Sequence, residues 1–149
     1  MSQTSTSCGG SRSWWSRRPT VTPITQIVVN ESTVADRIKV VSGNAVDGPI
    51  GGSYDVAVMR AFIQVLSEDD CRRAIQNVGH AFEPGGDMSI LGRVLDDSRE
   101  TPRPAALFNQ IILNVYDGGQ AYTESQHRDW LTEAGFCDFK HEVQAMIPA

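Results

Sequence analysis

Apolar runs of strand length alternate with stretches of helical periodicity, and this alternation constrains the fold more than any other feature of the chain. Residues 38–42 (IKVVS) and 54–59 (YDVAVM) are nearly continuous in apolar character, which suits strands of a parallel sheet buried on both faces. Ser67 and Asp70 make an S-x-x-D capping signature. Cys71, Ala74, Ile75, Val78 and Phe82 then recur at three- and four-residue steps, the period of one helix face. Pro84-Gly85-Gly86 is expected to stop that helix. Residues 88–95 read as a third strand. Residues 105–116 read as an apolar helix, broken by Asp117-Gly118-Gly119. Thr123 and Gln126 form a second capping box, and the helix they open runs to Gly135, a favourable C-terminal residue. Residues 136–143 are a last strand candidate. Upstream, Thr22-Pro23 reads as an N-cap followed by proline at the first helical position, with Ile24, Ile27 and Val28 on one face.

Strands separated by helices imply an α/β fold with a parallel sheet and right-handed crossovers. Ligands of such sheets bind at the carboxyl ends of the strands. Three places therefore qualify as candidate sites: Gly43-Asn44-Ala45, residues 60–64 and residues 92–97.

Composition narrows the function classes. The formal net charge of −5 comes without a basic stripe, which argues against nucleic acid as a partner. No apolar run approaches the ~20 residues needed to span a bilayer, so no membrane partner is expected. Cys8, Cys71 and Cys137 stand far apart and odd in number, so neither a disulfide framework nor a metal set is expected. A reduced, cytoplasmic setting follows. Residues 1–18 are rich in Ser, Thr, Gly and Arg, with Trp14 and Trp15 as the large apolar residues. Such a segment buries too little surface to offset its ordering entropy, so it reads as a disordered tail before a domain at residues 19–149.

Several motifs in order carry a resemblance. They are D-R-I-K-V-V-S-G-N (residues 36–44), Y-D-V-A-V-M-R (54–60), L-S-E-D-D-C (66–71), E-P-G-G (83–86), V-L-D-D (94–97), Y-T-E (122–124) and L-T-E-A-G-F (131–136). Together they resemble the S-adenosylmethionine (SAM)-dependent O-methyltransferases of the caffeate/hydroxyindole type, over residues 19–143. The resemblance implies an incomplete Rossmann-like class I methyltransferase sheet, with later strands and helices present and the first strands missing. It implies SAM as cofactor and transfer of its methyl group to a hydroxyl of a small aromatic or natural-product-like acceptor.

The resemblance assigns roles residue by residue. Gly43, Asn44 and Ala45 match the adenine-binding turn, where the family usually has Gly-Asp. Arg60 matches a basic position of the cofactor pocket. Phe108, Asn109 and Ile112 match the helix that lines the acceptor pocket. Gln64 stands where many members have a catalytic His, and Gly92 where an acidic partner often stands. A Gln side chain has no useful basicity, so it can orient a hydroxyl but cannot remove its proton. The glycine-rich loop and ribose-binding acid of the family have no counterpart. Arg17-Arg18-Pro19 stands at the acid's place. Two readings stay open: an O-methyltransferase, or a truncated, inactive remnant or partner subunit of one. The expected partners are a small-molecule acceptor and either a homodimer mate or a complementing chain.

Overall fold

The computed structural model describes residues 12–16 and 21–142. Its elements run β1 (Arg12–Ser16), α1 (Thr22–Asn30), β2 (Ile38–Ser42), β3 (Tyr54–Arg60), α2 (Glu68–Gly79), β4 (Phe82–Leu91), α3 (Arg103–Val115) and α4 (Glu124–Glu133), with single 3-10 turns at Ala35–Arg37 and Ile63–Val65. The chain divides into two compact units, residues 1–45 and 46–149.

The first unit is a β-α-β crossover. β1 and β2 pair in parallel from Arg12↔Ile38 to Ser16↔Ser42, with α1 between them in sequence. The strand at Arg12–Ser16 corrects the expectation that residues 1–18 lack structure. Ladder hydrogen bonds use backbone groups, so a polar sequence can still fill a strand position when a partner edge is offered. The other residues of that segment lie outside the described ones. Val21 rather than Thr22 is the N-cap of α1, and Pro23 sits in its first turn. The apolar residues Ile24, Ile27 and Val28 do share a face, but it is exposed, and Val29 is the buried residue of the helix.

The second unit repeats the crossover. β3 and β4 are parallel, and α2 connects them. Ser67 caps α2 by accepting from the Asp70 amide, and Glu68, Asp69 and Asp70 place negative charge on the first turn, where the helix dipole favours it. Cys71, Ala74, Ile75 and Val78 are buried as the periodicity predicts. The helix ends at Gly79, before Pro84-Gly85-Gly86. Those residues instead lie within β4, at a register shift in which Phe82 pairs with Tyr54 and Asp87 with Val56. Gly85, at φ 88, takes the left-handed conformation that this bulge requires. The strand expected at 88–95 therefore runs earlier, over Phe82–Leu91.

The sheet face toward α2 is covered, and the opposite face is not. Met59 is 7% exposed, whereas Val56 and Val58 are 59% and 60% exposed. Burial of these strands on both faces, as expected from their sequence, is thus corrected to burial on one. The last strand candidate is corrected as well. Residues 136–142 form no strand. They are held through side chains: Phe136 meets Phe82 edge to face at 5.5 Å, and Phe139 lies under the Arg128 guanidinium at 5.0 Å.

The core gathers Ile63, Leu66, Cys71, Ile75, Tyr122 and Trp130, each no more than 1% exposed. Tyr122 meets Trp130 at 4.8 Å in a T-shaped contact, and its hydroxyl donates to the Leu66 carbonyl at 2.7 Å. α4 opens on the expected capping box of Thr123 and Gln126. It closes on Gly135, left-handed at φ 91. His127 lies in its first turn, 7% exposed beside both aromatic rings. Its Nδ1–H donates to the Thr123 carbonyl at 2.8 Å, which leaves the Nε2 lone pair without a partner. Burial lowers the proton affinity of this imidazole below the ordinary histidine value. No helix among the described residues is long and apolar enough to cross a membrane.

Two outcomes follow. Trp130→Ala empties the centre of the core and is expected to cost about 3–5 kcal/mol, read as a lower urea midpoint. His127 binds a proton less readily when folded than when unfolded, so its contribution to stability is full above the ordinary pKa of 6.5 and declines as pH falls below it. Urea melts between pH 7 and pH 5 should show that decline in the wild type, and His127→Gln should flatten it.

Candidate functional site

The chain turns sharply at the carboxyl end of β3. Ala61 adopts φ 50, a left-handed value uncommon for a residue with a side chain, and its amide donates to the Leu91 carbonyl at 2.9 Å. This turn delivers Ile63–Val65 as a 3-10 turn beneath the end of β4. Two of its carbonyls are fixed by core side chains. The Cys71 thiol donates to Ile63 O at 3.4 Å, and Tyr122 to Leu66 O at the end of the turn. Burial pushes the Cys71 thiol up to about 12, so it stays protonated and unreactive at neutral pH.

Between these anchors Gln64 is 3% exposed, and its Oε1 has no hydrogen-bond partner. Its carboxamide lies against Gly92, where a Cβ would stand 1.6 Å from Nε2 and 2.7 Å from Cδ. Nothing larger than glycine fits at 92 with Gln64 in this position. A second glycine receives the Gln64 backbone: a Cβ at Gly119 would stand 2.7 Å from Gln64 O, 2.8 Å from Tyr116 Cβ and 3.3 Å from Ile112 Cγ2. Gln64 is thus seated between the end of β4 and the loop that leaves α3. An unpaired buried amide oxygen is costly, which marks Gln64 as a candidate ligand-facing group.

Of the α3 candidates, Ile112 reaches this seat through Gly119. Phe108 is half-buried, with the Arg93 guanidinium 5.9 Å from its ring centre. Ile112 is 5% exposed, packed toward Gly119. Asn109 uses its Oδ1 to accept from the Ala121 amide at 2.7 Å, so its carbonyl ties α3 to the strand-like approach of α4. Gln64, Phe108, Asn109 and Ile112 all belong to the second unit. Arg60 ends β3 in the same unit and is exposed. Gly43, Asn44 and Ala45 are half-buried after β2 in the first unit. Among the described residues, no group of three His, Cys, Asp or Glu side chains is placed to hold a metal ion.

The third strand-end candidate, residues 92–97, leads to a cleft of about 290 Å³ lined by Asp96, Asp97, Glu124, Ser125, Arg128 and Asp129. Three of its four carboxylates already have partners. Asp96 accepts from the Thr101 and Ser98 hydroxyls, Asp97 from the Ser125 amide, and Glu124 meets His141 and Arg128. These hydrogen bonds hold all three carboxyls below the ordinary range, Thr101, Ser125 and His141 being the respective main causes. They organise the Asp96 turn and the α4 N-terminus. Gly119 was not among the residues the sequence singled out, and the Asp117-Gly118-Gly119 break was its visible signal.

A fit for SAM is testable on these residues. Gly43, Asn44 and Ala45 sit at a strand's carboxyl end, and a half-buried Asn carbonyl suits an amino donor such as that of adenine. The exposed Arg60 guanidinium suits a carboxylate.

A family profile described as O-methyltransferase domain matches residues 19–137. The 8-O-methyl transferase TcmO of tetracenomycin polyketide synthesis, from Streptomyces glaucescens, is 24% identical over 122 residues, 82% of this chain and 36% of that protein. An O-methyltransferase family protein from Burkholderia thailandensis shares the fold with a TM-score of 0.81 at 19% identity, over 89% of this chain and 40% of that one. Human N-acetylserotonin methyltransferase in complex with SAM does so at 0.75 and 20% identity, over 89% and 37%. The chain spans about a third of the length of the curated relatives it matches. With a match covering most of its residues, in the order that places β2, β3, α2 and β4, this chain belongs to the O-methyltransferase family.

Proposed function

We propose that this chain carries the acceptor side of a SAM-dependent O-methyltransfer to the hydroxyl of a small aromatic or natural-product-like molecule. The observation that carries the reading is the family match over residues 19–137. The names of its relatives specify a polyketide, a naphthoate and acetylserotonin as their acceptors, all hydroxylated small molecules. Gly43, Asn44 and Ala45 would receive the adenine end of the cofactor and Arg60 its carboxylate. When bound, SAM supplies an electrophilic methyl group. Phe108 and Ile112 offer apolar surface to the acceptor, and Gln64 orients its hydroxyl through the unpaired carboxamide. Gln64 moves no proton, so its contribution is alignment, a large part of what such a transfer needs.

A second reading, a non-catalytic partner or remnant, has its own support: Gln64 offers no basic nitrogen, and Gly92 no carboxylate to assist one.

Calorimetric titration of the folded chain with S-adenosylhomocysteine separates the two. Saturable binding that weakens about tenfold in Asn44→Ala, the loss of roughly one hydrogen bond, is the outcome expected of the first reading. Absence of any binding by a folded chain selects the second. The Gln64 seat gives a further expectation. Gly92→Ala should cost about 1–3 kcal/mol in urea unfolding through overpacking, and Gly92→Ala combined with Gln64→Ala should recover most of it.

A further inference from the structure

Gln64 belongs to a closed circuit of contacts. Its carboxamide lies against Gly92, and the next residue, Arg93, places its guanidinium over the Phe108 ring, 5.9 Å from the centroid. One turn further along α3, Ile112 lies on the same face as Phe108. Ile112 reaches Gly119, which receives the Gln64 carbonyl. The end of β4 and one face of α3 are thus joined to Gln64 at two places. The circuit holds a polar group without a partner, the Oε1 of Gln64, on a residue only 3% exposed. A buried amide oxygen left open in this way points to a ligand that donates to it.

The cation of the circuit is uncommitted. Arg93 is exposed and forms no hydrogen bond or ion pair with a described residue. Asp96 and Asp97, the nearest carboxylates along the chain, are engaged by Thr101, Ser98 and Ser125. The Phe108 contact lies within the ~6 Å reach of a cation–π attraction, which restrains the charge without supplying a conventional acceptor. The N–H fork is left for a planar anion, and a carboxylate matches it at both oxygens. The Gln64 carboxamide meets the chain at Gly92 and the guanidinium leaves it one residue later, consecutive Cα atoms being about 3.8 Å apart. That spacing suits one small molecule carrying a hydroxyl and a carboxylate on an aromatic frame.

We propose, resting on the methyl-transfer reading, that Arg93 is a specificity-determining residue that selects a hydroxylated aromatic carboxylic acid as the acceptor. The carboxylate pairs with Arg93, the aromatic frame packs beside Phe108, and the hydroxyl donates to the Gln64 Oε1. At neutral pH such an acid is ionised and its methyl ester is not, so the guanidinium distinguishes two molecules of the same frame and hydroxyl.

Ligand-detected NMR titration with meta-hydroxybenzoate and with its methyl ester, each in the presence of S-adenosylhomocysteine, isolates the charge. The wild type is expected to bind the acid at least about tenfold more tightly than the ester, the scale of one charge-assisted hydrogen bond. Arg93→Gln should abolish that preference while the far-ultraviolet circular dichroism stays unchanged, since residue 93 is exposed. Arg93→Lys, which keeps the charge and loses the fork, should retain part of it. Equal binding of acid and ester by the wild type overturns the proposal, as does a preference that survives Arg93→Gln. So does a chain that binds S-adenosylhomocysteine and neither probe; the methyl-transfer reading then stands, because the titration with S-adenosylhomocysteine tests it separately. A folded chain that binds none of the three overturns both.

Discussion

The second unit hangs on Tyr122. Its ring packs edge-on against Trp130 and its hydroxyl donates to the Leu66 carbonyl, so one side chain joins the start of α4 to the 3-10 turn after β3. Leu66 is the last residue before the cap of α2, and Cys71 in the first turns of that helix grips the same 3-10 turn from the other side. Both interactions are fully buried, where a hydrogen bond is strong and its loss leaves an orphan. The turn between them is therefore rigid, and Gln64 is its central residue. The position of the candidate acceptor group is a by-product of the core.

That seat explains why two departures from the family pattern occur together. Gln64 fills space that any side chain at position 92 would need, and Gly92 leaves it free. Read one at a time along the sequence, the Gln and the Gly are two separate losses of chemistry. In space they form a single fitted pair, closed behind by Gly119. The pair fits together with the Gln64 carboxamide in the space that a side chain at position 92 would occupy.

The same economy of packing leaves apolar surface elsewhere. Each unit is built on one crossover of two parallel strands, and the connecting helix packs on one face of the pair. Val56 and Val58 on β3 and the exposed Leu107, Ile111 and Val115 on α3 are the outcome in the second unit, and the Ile24, Ile27 and Val28 face of α1 in the first.

The sequence by itself determined the alternation of strands and helices, because periods of two and of three to four residues are local properties. The Ser67 and Thr123 caps, the buried face of α2 and the stop at Gly135 were legible for the same reason: each rests on contacts within a few residues. Ordered motifs also made the family legible. Tertiary structure decided what depends on partners distant in sequence. It made a strand of Arg12–Ser16, since a ladder asks only for a neighbouring edge. It moved Pro84-Gly85-Gly86 into a bulge of β4, where pairing with β3 outweighs a proline's preference to end structure. It withheld a strand from residues 136–142, which side-chain contacts to Phe82 and Arg128 hold instead. Above all it brought Gln64, Gly92 and Gly119 together across 55 residues, because close approach is a property of space that spacing along a chain does not encode.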